Sequence, residues 1–215
     1  VCITETDLTS YPGMYLYNSN NDNTLESHYA PVPDKIKQGG HNMLQGFVES
    51  RMPYIAEVEG ARSFPWRICI VANNDAELLD DDMVFRLSHE NVIGDTSWIK
   101  PGKVAWEWWN HWGLTDVDFK PGVNTATYKA YIDFAAEYGV EYVILDEGWA
   151  TKYKNDLFDI VPEIDLQAIL DHAEAKGVGI ILWAGYNAFN NDIERVCEHY
   201  SKLGVKGFKI DFMDR

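Results

Sequence analysis

Cationic side chains are scarce in this sequence. Eighteen Lys and Arg face 34 Asp and Glu, a formal net charge of -16 with pI near 4.6. A chain with no basic patch cannot neutralise phosphates, so nucleic acid is excluded as a partner. The acidic balance suits a secreted or periplasmic protein, a neutral or cationic ligand, or a divalent cation, and it also serves plain solubility. Cysteine is sparse too. Cys2, Cys69 and Cys197 form no CxxC and no metal spacing, and their odd number argues against a full disulfide framework. No apolar run approaches the ~20 residues of a membrane span. There is no GxGxxG and no Walker sequence, so a nucleotide site has no support. No signal peptide is present either. The chain starts at Val1 and stops inside its most informative stretch, so it reads as a segment of a longer protein, periplasmic or secreted in its parent form.

Aromatic residues are abundant, with eight Trp and twelve Tyr. Such rings stack on sugars as readily as they fill cores. Their setting differs along the chain. Residues 1–95 read as all-β. VCITETDL is β-rich and carries Glu5, and SYPGMYLYN turns at Pro12-Gly13. YAPVPDKIKQGGHN reads as loop. YIAEVEG, RSFPWRICIVAN and DMVFRLSHE read as strands, and Asn74–Asp82 as a short helix or loop. Residues 1–97 are therefore expected to be the end of a β-sandwich, with a boundary near Asp95–Gly102.

From residue 98 the pattern alternates strand and helix. KVAWEWW is the first strand. TATYKAYIDFAAEY is a helix capped by Asn124, with Tyr128, Ile132, Ala135 and Tyr138 on one face and Gly139 closing it. Asp165 caps DLQAILDHAEAK, whose inward residues are Leu166, Ile169, Leu170 and Ala173, and Gly177 closes it. NDIERVCEHYSKL carries the stripe Ile193, Val196, Tyr200 and Leu203. One phrase recurs: YGVEYVILD, KGVGIILW, LGVKGFKID. Each time a helix stops at Gly and Val opens a buried strand, the signature of βα crossovers in a parallel sheet. Four units in about 110 residues make about half of a (β/α)8 barrel of ~250 residues. A small doubly wound sheet is the alternative. Residues 98–215 are thus expected to hold barrel strands one to four.

Active sites of such barrels lie at the carboxyl ends of the strands. The first strand end supplies Trp106, Glu107, Trp108, Trp109 and Trp112. The second supplies Asp146, Glu147 and Trp149, the third Trp183, Tyr186 and Asn187, and the fourth Lys209, Asp211 and Asp214. Singly, each has an ordinary reading, Trp108 or Trp109 as a plug and Glu147 as a loop cap. Together they place rings for stacking and carboxylates for hydroxyls at one mouth, which fits a carbohydrate. In the last strand, Gly207, Lys209 and Asp211 share one face. Lys209 beside Asp211 favours the ionised carboxyl. Retaining glycoside hydrolysis needs a nucleophile and an acid/base ~5–5.5 Å apart. Asp211 is the natural nucleophile, and Asp146 and Glu147 are candidates for its helper. Trp106 and Trp183 are candidate sugar platforms.

ITETDLTSYPGMYL, KVAWEWWNHWG, YVILDEGW, IILWAGYN and GVKGFKIDFMDR occur in that order along nearly the whole chain. Together they resemble glycoside hydrolase family 97, α-glucosidases and α-galactosidases built from an N-terminal β-sandwich, a central (β/α)8 barrel and a small C-terminal β-domain. The resemblance implies that Asp211 is the nucleophile of the retaining branch, where α-galactosidase activity is known, because inverting members lack this Asp. The substrate would be an oligosaccharide with a terminal α-linked galactose or glucose. Trp106, Glu107, Asp146, Glu147, Trp149, Trp183 and Lys209 would line its site. The resemblance also implies Ca2+, with Glu5 as the sandwich ligand and the other ligands and the acid/base beyond Arg215. An α-glucosidase and a non-catalytic sugar binder remain the alternatives.

Overall fold

The computed structural model describes residues 1–39, 45–151 and 156–213. The chain forms two compact units, one of residues 1–36 and 48–98, the other of 37–47 and 99–215.

In the first unit, β1 (Cys2–Thr6) pairs antiparallel with β6 (Trp66–Ile70), Ile3 opposite Cys69. β2 (Met14–Tyr17) pairs with β3 (Glu26–Tyr29). β4 (Pro33–Gly39) and β5 (Gln45–Arg51) make a third two-stranded sheet, its residues divided between the two units. Pro33, the first residue of β4, sits where a strand tolerates the missing N–H, so a stretch expected as loop is extended and paired. Residues 54–60, expected as a strand, form none. Tyr54 makes one contact of ladder type, its carbonyl accepting from the Val32 amide at 2.9 Å, and Gly60 turns the chain away at φ +67. Two short helices follow, α1 (Asp75–Leu79) and α2 (Met83–Leu87). The second replaces an expected strand. The Asp81 carboxylate accepts from the Met83 amide, and Ser88 closes the last turn onto Val84. These local bonds decide for helix where the hydrophobic pattern was ambiguous.

The second unit is a four-stranded, wholly parallel sheet in the order β7 (Val104–Trp106), β8 (Tyr142–Leu145), β9 (Gly179–Gly185), β10 (Gly207–Asp211). The strands lie side by side in chain order. The crossovers are α3 (Thr125–Tyr138), α4 (Leu166–Lys176) and, between β9 and β10, α5 (Tyr186–Asn190) with α6 (Ile193–Lys202). Asn124, Asp165 and Asp192 cap α3, α4 and α6, each accepting an amide from the first turn. Such a cap contributes about 1 kcal/mol. Gly139 and Gly177 close α3 and α4 at φ +64 and +71, a left-handed cap that residues with a Cβ adopt at a cost.

The core lies between sheet and helices. Tyr128, Ile132 and Ala135 of α3 meet Val143 and Leu145 of β8, together with Ile169 of α4, Ile180 and Leu182 of β9 and Val196 and Tyr200 of α6. All four expected inward residues of α4 are buried. Tyr138 is not. It lies off the stripe at the last turn of α3 and is exposed, its ring against Phe134. The first strand is also shorter than the run KVAWEWW. After Trp106 the backbone tightens into a 3-10 turn over Glu107–Asn110, closed by the Trp112 amide on the Glu107 carbonyl at 2.9 Å.

Candidate active site

The carboxyl ends of the four parallel strands bring most of the candidate residues together. Register sets the frame: Lys209 lies opposite Trp183, and Asp211 opposite Gly185. Lys209 Nζ stands 2.7 Å from Asp146 Oδ2 and 3.6 Å from Asp211 Oδ2, so one ammonium bridges two carboxylates, one just after β8 and one at the end of β10. It also lies 4.2 Å from the centre of the Trp106 ring, a cation–π contact. Trp106 Nε1 donates to Asp146 Oδ2 at 2.5 Å, and Trp183 Nε1 donates to Asp211 Oδ2 at 3.3 Å.

The carboxylates differ in access. The side chain of Asp211 is 42% exposed, that of Asp146 only 4%, and Glu107 is fully buried. A group that attacks a substrate must be reached by it, which favours Asp211. Asp146 accepts from Lys209, from Trp106 and, at Oδ1, from the Glu147 amide. Asp146 therefore anchors the ammonium, and with both oxygens engaged and its side chain 4% exposed it is poorly placed to act as the helper acid. For Asp211, partial burial raises the carboxyl. The Phe212 amide, the Trp183 indole and the Lys209 ammonium outweigh burial and hold it below the usual carboxylate value. Phe212 supplies its amide from a left-handed backbone, φ +58, directly after the strand.

Glu107 is the opposite case. Burial pushes it up to about 7, against the lowering by the Asp146 amide and the Tyr128 hydroxyl that both donate to Oε1. The sequence marks Glu107 only as a strand-end carboxylate and Tyr128 only as one residue of an apolar helix face. A buried Tyr needs a partner for its hydroxyl, and that rule was the one available signal.

The tryptophans divide into packed and open. Trp149 has no exposed surface and donates its indole N–H to the Trp183 carbonyl at 2.8 Å, which leaves no ring face for a ligand. Trp183 is 3% exposed and acts on Asp211 through its N–H. Trp106 stacks with Trp108 and Trp109 at 5.7 and 5.5 Å, and these two carry the open aromatic surface. Trp108 also lines a cleft with Trp112, Glu147 and Gly148. Asp214 lies outside the described residues.

Glu5 is placed in the first unit. Its Oε1 is 2.6 Å from Arg67 Nε, an ion pair without hydrogen-bond alignment, and its Oε2 accepts from the Met14 amide. Among the described residues no three His, Cys, Asp or Glu gather closely enough to hold a metal ion. The described residues therefore do not fit a complete calcium site. A cation bound by Glu5 would compete with Arg67 for this carboxylate. Among them, too, no helix is long and apolar enough to cross a membrane.

Comparison with known proteins bears on both units. The family model described as Glycoside hydrolase 97 matches residues 108–215, and that described as Glycosyl-hydrolase 97 N-terminal matches 1–89. A retaining alpha-galactosidase of Bacteroides thetaiotaomicron is 56% identical over 215 residues, covering 100% of this chain and 32% of the relative. A probable retaining alpha-galactosidase of Streptomyces bingchenggensis is 32% identical over 164 residues, covering 73% of this chain and 24% of the relative. The chain thus spans a third or less of these relatives. Among solved structures, a family 97 enzyme from Pseudoalteromonas sp. strain K8 in complex with acarbose aligns with TM-score 0.72 at 25% identity, covering 98% of this chain and 31% of the other. A beta-arabinopyranosidase aligns with TM-score 0.61 at 21% identity, a likeness of fold.

Proposed function

The chain belongs to glycoside hydrolase family 97, and on that premise we propose that the protein carrying it is a retaining, exo-acting α-galactosidase with Asp211 as nucleophile. The observation that carries this reading is the state of Asp211, a half-exposed carboxylate at a strand end, kept ionised by an amide, an indole and an ammonium. In the first step an Asp211 oxygen bonds the anomeric carbon as the glycosidic C–O bond breaks, and an acid/base carboxyl protonates the departing oxygen. In the second step water attacks the same carbon, the bond to Asp211 breaks, and the proton returns to the acid/base. Lys209, fixed by Asp146, offsets the charge on the ionised nucleophile before attack. A pure sugar binder has no need of an ionised carboxylate there, which favours the enzyme.

The chain-order parallel sheet supports the first half of a (β/α)8 barrel over a doubly wound sheet, whose strand order reverses. The N-terminal match supports the end of a β-sandwich before it. Galactose is preferred over glucose because the two relatives named above are called alpha-galactosidases, and the acarbose complex of the related structure supports an oligosaccharide substrate. A family 97 α-glucosidase is the second reading, decided by kcat/KM on para-nitrophenyl α-galactoside against the glucoside. Calcium enters the proposal with Glu5 as one ligand and its remaining donors outside the described residues. Residues 1–215 alone are expected to be inactive, since β7 and β10 are sheet edges among the described residues and no acid/base is placed beside Asp211.

The test is Asp211→Gly in a full-length protein carrying this chain. Turnover is lost, and azide restores it with a product of opposite anomeric configuration to the substrate. Activity like that of the unmodified protein without azide would overturn the assignment.

A further inference from the structure

Glu107 has no place in the chemistry above, yet it is the most deeply buried acid among the described residues at the strand ends. It is fully enclosed at the start of the 3-10 turn after β7. Oε1 accepts two hydrogen bonds from different elements, the Tyr128 hydroxyl of α3 at 2.9 Å and the Asp146 amide at the end of β8 at 2.7 Å. Oε2 is buried without a hydrogen-bond partner. An acid buried with half its acceptor capacity unused is costly for a residue that only fills space. The two bonds it makes are directed at one point. The amide it grips belongs to Asp146, whose carboxylate holds Lys209, which in turn stands beside Asp211.

We propose that Glu107 is a positioning residue: it fixes the backbone of Asp146, and through the Asp146 carboxylate it sets the place of the Lys209 ammonium next to Asp211. The inference rests on the proposed role of Asp211. The groups on this path are few. Glu107 is faced by Tyr128 and, without a hydrogen bond, Tyr131 from α3, and by Asp146 just after β8. Asp211 is faced by Lys209 from its own strand, by the neutral Trp183 indole from β9 and by the Phe212 amide. If Asp146 loosens, Lys209 loses its anchor. The Asp211 carboxyl then loses part of what lowers it, and it rises.

The experiment compares Glu107→Leu, which keeps bulk and deletes the acceptor, with Glu107→Gln, which keeps an acceptor oxygen. Both are made in the full-length protein and assayed on para-nitrophenyl α-galactoside across pH. Glu107→Leu lowers kcat by roughly 10–100-fold, the usual effect of removing an outer supporting partner, and moves the acid limb of kcat/KM to higher pH. Glu107→Gln recovers most of kcat and leaves the limb in place. In a Lys209→Met background, Glu107→Leu has little further effect, because both act through the same ammonium. Additive losses, or an acid limb that stays put in Glu107→Leu, would overturn the inference. Should that variant not fold, Tyr128→Phe serves: it frees one side of Glu107 and moves the limb the same way, and an unmoved limb refutes. Asp211→Gly with azide, run alongside, separates this failure from failure of the nucleophile assignment.

Discussion

The two units of this chain use similar residues to different ends. In the first unit, Ile68 and Thr6 are the buried side chains among those described, and Leu16, Trp66 and Phe85 are exposed on two-stranded sheets and a short helix. In the second, 23 buried residues among those described form one cluster between a parallel sheet and its helices. Each βα repeat brings its own covering layer, so it buries its apolar stripe on chain neighbours. A two-stranded sheet brings no such layer. The lesson is that an apolar pattern becomes a core only where the opposing layer is present.

Several measurements would break or sharpen that contrast. The largest effect belongs to the strand ends of the second unit, where Asp211→Gly is expected to lower turnover on the order of 10⁴-fold or more. Variants of Glu26 in the first unit, assayed in parallel, should leave turnover unchanged. Next comes packing. Leu145→Ala, fully buried, should destabilise by about 2–5 kcal/mol in denaturant unfolding. Electrostatics follow. Glu107 is raised on folding to about 7 from 4.5, so the folded state holds a proton that the unfolded state has lost between these values. Stability from this group is full below the unfolded value and falls as pH rises toward 7, by on the order of 3 kcal/mol. Glu107→Gln should flatten that slope, and its melting temperature should gain on the unmodified protein from pH 5 to pH 8. A persistent slope would place the titration elsewhere.

Calcium is expected to act on a similar or smaller scale. A chelator should lower both activity and melting temperature, about 2.7 kcal/mol being lost if the ion stood at 100 times its Kd. Glu5→Gln should remove the response, and no response in the unmodified protein would leave Glu5 as a partner of Arg67 and the Met14 amide and not of a cation. The smallest effect tests the exposed face of the first unit. Trp66→Ala should change stability by less than ~0.5 kcal/mol if that ring is open to solvent in the full-length protein. A loss of several kcal/mol would show that another layer covers it.

Much of the second unit was legible because its signals are local. Asn124, Asp165, Gly139 and Gly177 cap helices within a few residues of themselves, and the Lys209–Asp211 pair follows from strand alternation alone. What escaped depended on distant partners. Glu107 meets Tyr128 and Asp146, 21 and 39 residues away. The burial of Trp149 and Trp183 follows from packing across elements distant in sequence, Trp149 against Tyr200 of α6 and Trp183 against Phe212, which composition does not encode. In the first unit, residues 82–90 carry a pattern that suits strand or helix, and an Asp81 side-chain bond settles it.

The most direct test of the account is to trap the intermediate. A full-length protein carrying this chain would be treated with a slowly turned-over activated fluoro-galactoside, digested, and its peptides weighed by mass spectrometry. The account predicts one added sugar on the peptide that contains Asp211, and none in Asp211→Gly. A sugar on a different carboxylate, or an active protein that forms no adduct and releases product of inverted configuration, would contradict it.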